Sequence, residues 1–461
     1  MSLHIIILAA GQGTRMQSSI PKVLHKLGGR PMLARVVDTA LALSPEAIHI
    51  IVGFGGEQIM QALPTLSANW ITQAEQLGTG HAVMQALPHI PKTAQVLILY
   101  ADVPLIQTKT LQALIACCKP LHEGKEPPLG LLVAAVADPT GLGRIVRNAK
   151  GDIHAIVEEK DATPDIRKHN EIYTGICCAS AAVLNRWLPQ LTCQNAQEEY
   201  YLTDIVKMAT EASLPIVSQG VTDPMETQGV NDRQQLQTLE RVLQGQIAAQ
   251  LMRSGVGLAD AARIDVRGSI VCGRDVFIDV NTVFSGHVEI GEASTIGANC
   301  SLNDVSIGAH CEILPNSVLD GVQMGDHCHI GPFARLRPGT QLAEGCKIGN
   351  FVETKQAVFG RDTKASHLSY LGDVTIGEQV NIGAGTITCN YDGVNKYPIV
   401  IEDGVFIGSD TQLIAPIMIG KNATIGAGST ICKNVPAGEL TLTEAVQKTI
   451  YGWKRPKKIE V

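Results

Sequence analysis

An α/β chain of two unlike domains joined by a helix is expected here, on three observations. Residues 1 to about 230 alternate short apolar runs with amphipathic stretches, and residues 231 to about 253 carry leucines at helical steps. Beyond about residue 260, aliphatic residues return every six positions. At 461 residues the chain can bury more than one core.

The first half contains the runs "HIIILAA", "IHIIVGFG", "VLILYADVPL", "LGLLVAAV" and "LPIVSQGV". Short apolar strands separated by helix-length segments predict βα units around a mainly parallel sheet covered on both faces. Ligands of such sheets lie beyond the carboxyl ends of the strands. In "NDRQQLQTLERVLQGQIAAQLMR", Leu236, Leu239, Leu243, Ile247 and Leu251 recur at three- and four-residue steps, which predicts one amphipathic linker helix. The expected bounds are 1–230 for the sheet domain, 231–251 for the linker and 252–461 for the last domain.

In the last domain the six-residue register runs through Ile290, Ile296 and Leu302, then Ile307, Ile313 and Leu319, then Ile330, Leu336, Leu342 and Ile348. It resumes at Ile407, Leu413, Ile419, Ile425 and Ile431. Neither a helix nor an ordinary strand has this period. A parallel β-helix does, because each hexad makes one short face and one corner. The register breaks near "VETKQAVFGRDTKASHLSY" and "CNYDGVNKYP", and breaks in a solenoid are usually loops on the binding face.

Composition narrows the function. With 37 basic and 44 acidic residues the net charge is -7, which argues against a general nucleic-acid binder but leaves small anions open. No apolar run approaches the roughly 20 residues that span a bilayer, and the first residues lack a signal-peptide pattern. A soluble, cytoplasmic protein without a membrane partner is expected. Twelve scattered cysteines without a CxxC motif or zinc-like pairing with histidine read as reduced, mostly buried thiols.

Two stretches carry candidate chemistry. In "GQGTRM", Met16 stands where a dinucleotide fingerprint would have its third glycine after Gly11 and Gly13. The loop instead supplies Arg15, and Lys22 follows in "IPKVL". Backbone N–H groups with two cations suit a triphosphate, although either cation alone reads equally well as solvated surface. Asp102, after Tyr100, would project from the carboxyl end of a buried strand as an Mg²⁺ ligand, or cap the turn before Pro104. In the second half, His367 and Tyr370 of "KASHLSYLGD" lie at a register break. Arg337, Lys355 and Lys396 could surround a sugar phosphate there, with Asn381, Asn390 and Tyr391 as donors. A histidine on a β-helix otherwise reads as packed or solvated.

The segments "LAAGQGTRM", "PKVL", "QAEQLGTGHA", "YADVPL", "DPTGLGRI", "IVEEKDAT" and "GVNDR" resemble the nucleotide-sugar pyrophosphorylase motifs. Joined to the hexad half and "NYDG", they make nearly the whole chain similar to one bifunctional bacterial family. Its members are N-acetylglucosamine-1-phosphate uridylyltransferase and glucosamine-1-phosphate N-acetyltransferase in one chain. The resemblance implies a Rossmann-like mixed-sheet nucleotidyltransferase domain followed by a left-handed parallel β-helix of hexapeptide repeats.

Residue by residue, it implies that Leu8, Ala9, Ala10 and Gly11 line the uridine pocket, with Tyr100 beside it, while Gln73, Gly78 and Thr79 read uracil. Arg15 and Lys22 would hold the phosphates of UTP catalytically, Asp102 and Asn231 would ligate Mg²⁺, and Gly143 and Glu158 would contact the sugar. On the β-helix, His367 would be the base: acetyl transfer needs a neutral amine, and a free imidazole with a pKa near ~6.5 can take its proton. Arg337, Lys355, Tyr370, Asn381 and Lys396 would bind glucosamine-1-phosphate. Ala384, Asn390, Tyr391, Ser409 and Ala427 would lie along acetyl-CoA, and Glu353 would orient the base or the amine.

Two departures stand out. Tyr173 in "EIYTGI" replaces the family's asparagine, and Glu444 in "TLTEAVQ" replaces a CoA-contacting arginine, for which the basic tail "YGWKRPKKIEV" could substitute. The family pattern also implies a homotrimer. The competing expectations are a single-activity sugar-1-phosphate nucleotidyltransferase with a structural or regulatory β-helix, and a non-catalytic sugar-nucleotide sensor.

Overall fold

The computed structural model describes residues 1–120, 125–444 and 446–456. The chain divides into two compact units, 1–244 and 245–461. The first contains β1 (Leu3–Ala9), the short strands β2 (Lys26–Leu27) and β3 (Arg30–Pro31), β4 (Ala47–Val52), β5 (Asn69–Thr72) and β6 (Gln95–Tyr100). It continues with β7 (Leu129–Ala135), β8 (Arg144–Arg147), β9 (Ile153–Val157), β10 (Glu171–Ser180) and β11 (Ile216–Gly220). The main sheet has the order β11-β7-β10-β6-β1-β4-β5.

Every neighbouring pair in that order is parallel except those of β10, which runs antiparallel to both β6 and β7. The sheet is therefore mixed. Alternating residues of β1 feed two cores, Ile6 and Leu8 on one face and Ile5, Ile7 and Ala9 on the other. The helices α3 (Thr79–Ala86), α5 (Ala181–Trp187) and α6 (Asp204–Glu211) cover the first face. The opposite face is covered by α1 (Met32–Leu41), α2 (Gly56–Ala62) and α4 (Thr108–Cys117). Burial on both sides is why these strands read as continuous apolar runs.

The inner strands also carry two buried imidazoles. His4 and His49 stack with ring centroids 5.4 Å apart, and His4 Nδ1 lies 3.1 Å from His49 Nε2. Burial, with His4 and His89 adding to it, pushes His49 down to about 4, while Glu46 partly offsets the same effect at His4. The unfolded chain takes up its proton near ~6.5 and the folded chain only near 4, so stability is full above ~6.5 and falls as pH drops toward 4. The thermal midpoint of this unit should fall by several degrees from pH 7 to pH 5, and in His49→Leu by much less. An equal fall in the variant would refute the assignment.

Helix α7 spans Arg233–Arg253, close to the expected linker, and the division into units falls within it. In the first unit Leu239 and Leu243 are buried and Glu240 accepts a hydrogen bond from Gly28 N at 2.7 Å. In the second, Ala248 and Leu251 join the β-helix core.

The second unit stacks short strands in two ladders of 11 and 14, from Gly257–Leu258 to Leu440–Thr441, with parallel register between neighbours. All fifteen residues of the six-residue register lie in one buried core. One corner is an asparagine ladder: Asn281, Asn299 and Asn316 take positive φ and hydrogen-bond side chain to side chain across steps of 18 and 17 residues. Asparagine tolerates that backbone region. At another corner Ser294, Cys311, Cys328, Cys346 and Thr363 each donate to a carbonyl of the next coil, at 2.8–3.2 Å. Those thiols are structural, and all twelve cysteines are free.

Candidate active sites

The first site forms where β1 and β6 end. Its cavity, of about 270 Å³, is lined by ten of the expected residues: Leu8, Ala9, Ala10, Gly11, Lys22, Gln73, Gly78, Thr79, Tyr100 and Asp102. Val23, Gln76, Ala82 and Glu199 complete the lining. Gln76 lies inside "QAEQLGTGHA", so the motif could have flagged it; Glu199 comes from a segment with no motif.

The Gln73 amide N–H₂ donates to the Gly78 carbonyl at 3.2 Å and lies 3.0 Å from His81 Nδ1, which fixes the amide's orientation. Thr79 Oγ1 accepts from Leu202 N at 3.1 Å, and burial raises the Tyr100 hydroxyl above its ordinary range.

Three predicted residues meet at one point. Lys22 Nζ pairs with Asp102 Oδ2 and donates to Asn231 Oδ1 at 3.3 Å. The backbone holds the two oxygens together, because Val230 N donates to the Asp102 carbonyl at 2.9 Å. Two oxygens from separate loops thus converge on one cation. Among the described residues no cluster of three or more His, Cys, Asp or Glu side chains forms a metal cage. A pair of oxygens is the donor set that suits Mg²⁺, which takes one or two protein ligands and completes its shell with phosphate and water.

Gly13, at φ +63°, is where the loop must be glycine, because a Cβ there would lie 2.6 Å from Lys22 Cβ. Gly13→Ala should cost about 1 kcal/mol from backbone strain alone and push Lys22 off its position. Activity at this site should fall about 10²-fold on a displacement near ~1 Å, measured as nucleotide-dependent turnover; an unchanged rate would remove Lys22 from the site.

Arg15 is exposed in the turn Thr14–Met16 and does not line the cavity. Gly143 and Glu158 are outside that lining but meet beside it: a Cβ on Gly143 would lie 3.5 Å from Glu158 Oε2, and the Glu158 charge acts on the Tyr100 hydroxyl. Glu158 borders a second cavity, of about 480 Å³, with Tyr201 and Thr203. Burial lifts the Glu158 carboxyl above its ordinary value, and Thr203 Oγ1 donates to it at 3.3 Å. The Tyr201 side chain is buried, and burial raises its hydroxyl above the ordinary range. Nothing in "YLTD" points to either residue in the sequence. Tyr173 is 8% exposed and its hydroxyl donates to the Gly175 carbonyl at 2.7 Å, so this phenol is spent on the fold.

On the β-helix, the expected residues occupy two ladders separated by a corner. His367 and Asn381 belong to the strands Lys364–His367 and Asn381–Ile382 of one ladder; Lys355 and Tyr370 lie in Glu353–Phe359 and Tyr370–Ile376 of the other, beyond Leu368 with φ 49°. Lys355 is held below its ordinary value chiefly by Lys396, with Arg337 adding to it. Like charges this close make a place for an anion. Arg337 also donates to Glu353 Oε1 at 2.8 Å.

The His367 ring donates from Nδ1 to Asn350 Oδ1 at 2.7 Å, a partner that no motif announced. Ala384, Ser409 and Ala427 form one column along a corner: Asp410 N donates to the Ala384 carbonyl, Gly428 N donates to the Ser409 carbonyl, and a Cβ on Gly408 would lie 2.5 Å from Ala427 N. Asn390 donates to Asp373, while exposed Tyr391 bridges to Lys396 through the backbone. Glu444 is exposed. Residues 457–461 of the basic tail lie outside the described residues.

Comparison with known proteins matches residues 5–125 to the MobA-like NTP transferase domain and residues 304–338, 321–356 and 398–433 to the bacterial transferase hexapeptide repeat. The bifunctional protein GlmU of Legionella pneumophila is 61% identical over 460 residues, covering 100% of both chains. That of Marinobacter nauticus is 53% identical over 99% of each. Among solved structures, a nucleotidyl transferase from Methanothermobacter thermautotroptrophicus covers 52% of this chain and 96% of its own, at 15% identity and a TM-score of 0.37. No described helix is long and apolar enough to cross a membrane.

Proposed function

We infer the function from kinship and site chemistry together: the chain belongs to the bifunctional GlmU family, matched end to end at 61% identity. It is an enzyme with two transferase activities. The β-helix acetylates glucosamine-1-phosphate with acetyl-CoA, and the sheet domain transfers UMP from UTP to the N-acetylglucosamine-1-phosphate so formed, releasing pyrophosphate. The product, UDP-N-acetylglucosamine, feeds cell-wall polysaccharide synthesis. The observation that carries this reading is the full-length match, with a nucleotidyltransferase model on one half and hexapeptide repeats on the other.

In uridylyl transfer an oxygen of the sugar phosphate attacks the α-phosphorus of UTP, and the bond to the β-phosphate breaks. No protein nucleophile is needed, because positioning and charge neutralisation suffice. Leu8 to Gly11 line the nucleoside side, and the oriented amide of Gln73, with Gly78 and Thr79, reads uracil. Lys22 exchanges Asp102 for a phosphate, and Arg15 reaches the triphosphate from the exposed turn. Asp102 and Asn231 would then hold Mg²⁺, which supplies further neutralisation of phosphate charge when bound. Gly143 and Glu158 take the sugar, and Tyr173 takes no part.

In acetyl transfer Arg337, Lys355 and Lys396 bind the sugar phosphate, helped by Tyr370 and Asn381. His367 removes a proton from the amine, the amine attacks the thioester carbonyl, and the CoA sulfur leaves. The corner column Ala384, Ser409 and Ala427 runs along acetyl-CoA, with Asn390 and Tyr391 beside it. Functional bounds at 1–230, 231–251 and 252–461, a homotrimer and a cytoplasmic location complete the proposal.

The test supplies glucosamine-1-phosphate, acetyl-CoA, UTP and Mg²⁺ together and then omits each in turn. UDP-N-acetylglucosamine should form only from the full set, and omission of UTP should leave N-acetylglucosamine-1-phosphate. Uridylyl transfer without any acetylation would overturn the two-activity reading.

A further inference from the structure

We propose that Asn350 is the positioning residue of acetyl transfer: its side-chain oxygen holds His367 in the tautomer that leaves Nε2 free to take the proton of the amine. The proposal deepens the function given above and rests on His367 being the base.

Asn350 ends the strand Lys347–Asn350 and pairs in parallel register with His367, which ends the strand Lys364–His367 on the next coil. Their side chains meet where both strands stop. An amide oxygen can only accept, so the 2.7 Å contact between His367 Nδ1 and Asn350 Oδ1 requires the hydrogen to sit on Nδ1. The lone pair of the neutral ring is then on Nε2.

The coil holds this arrangement from behind as well. The Asn350 carbonyl accepts from Leu368 N at 3.0 Å, and the His367 carbonyl accepts from Ser369 Oγ at 2.9 Å. The backbone on the carboxyl side of the residue carrying the imidazole is therefore pinned at the corner. Asn350 itself is half-buried, whereas His367 is exposed, so the partner is fixed by packing and the base stays open to substrate.

The choice of an amide has a chemical consequence. A carboxylate at this position would also fix the tautomer, but its charge would stabilise the imidazolium and raise the pKa of the ring. A base that must be neutral at cytoplasmic pH is better served by an uncharged acceptor. The charged side chains on the two paired strands are Lys347 and Lys364, both exposed, and Tyr370 lies beyond the corner. Neither lysine can accept the Nδ1 hydrogen, which leaves Asn350 as its acceptor.

The experiment uses the full-length enzyme and measures kcat and KM for acetyl transfer across pH in Asn350→Ala, Asn350→Asp and His367→Ala, with ¹⁵N-histidine NMR of the unmodified protein. Circular dichroism and thermal unfolding of each variant report that the β-helix, which carries both residues, is folded. Asn350→Ala should lower kcat about 10–100-fold, the range that loss of an orienting partner gives at metal-bound histidines, with KM for glucosamine-1-phosphate within about threefold. Asn350→Asp should retain more activity than Asn350→Ala and move the acid limb of the pH profile up by about one unit. The NMR should show the His367 hydrogen on Nδ1 without need of any variant. A normal kcat and pH profile in Asn350→Ala alongside an inactive His367→Ala would sink the positioning role alone. Full activity in His367→Ala would sink the base assignment and this proposal with it, and so would a hydrogen on Nε2 in the unmodified enzyme sink the positioning role.

Discussion

Asp102→Ala should lower uridylyl transfer by at least about 10²-fold and leave acetyl transfer unchanged. Asp102 stands just beyond β6, where buried strand gives way to cavity, and it is the carboxylate that meets Lys22. Its loss removes one of the two side-chain oxygens that meet Lys22 and loosens the tether on that cation. Phosphate charge would then build up with one cation misplaced and a metal ligand missing. Asp102→Asn keeps an oxygen without the charge, so it should fall between the two and need more Mg²⁺ to reach half its maximal rate. Coupled pyrophosphate release, followed against Mg²⁺ concentration, checks both variants. Uridylyl transfer that survives Asp102→Ala would remove this carboxylate from the site.

His367→Ala should produce the complementary phenotype: acetyl transfer down about 10²–10⁴-fold, the usual contribution of a positioned base, with UTP-dependent turnover on supplied N-acetylglucosamine-1-phosphate near normal. The defect should shrink as pH rises, because more of the amine is then neutral without help. That pH dependence separates a lost base from a lost contact, which would weaken binding equally at every pH. Loss of both activities in His367→Ala would argue against separate sites. Together the two variants assign one chemistry to each unit without requiring that either unit be isolated.

What could be read from the residues differs between the halves for a physical reason. A β-helix repeats one local solution, so Ile290 to Ile431 carry their burial in their spacing, and all fifteen of these positions are in the core. The apolar runs of β1, β4, β6 and β7 were equally legible, since burial on both faces removes polar residues from the strand. β10 was not. "EIYTGICCAS" begins polar and contains Gly175, and its antiparallel direction is set by its neighbours β6 and β7.

The sites divide along the same line. Gly11, Lys22 and Asp102 could be nominated from motif chemistry, since each sits at the end of a strand or in the loop after it. Asn231 came only through family resemblance: it reaches Lys22 across 209 residues of chain, a proximity that no local pattern encodes. Arg15 looked like the partner of Lys22 from its spacing, yet it lies outside the cavity lining. Tyr201 and Thr203 join Glu158 with no signal in their own segment.

Local order, then, was written in the chain: strand and helix periods, the hexad register, the glycine loop and the change of architecture near residue 250 follow from side-chain size and spacing. The pairings were not. That Lys22 stands between Asp102 and Asn231, that Tyr173 spends its hydroxyl on Gly175, and that Asn350 faces His367 depend on which strands lie side by side. Neighbouring strands are chosen by the packing of whole sheets and coils, and each such contact joins residues whose own surroundings in the sequence say nothing of the other.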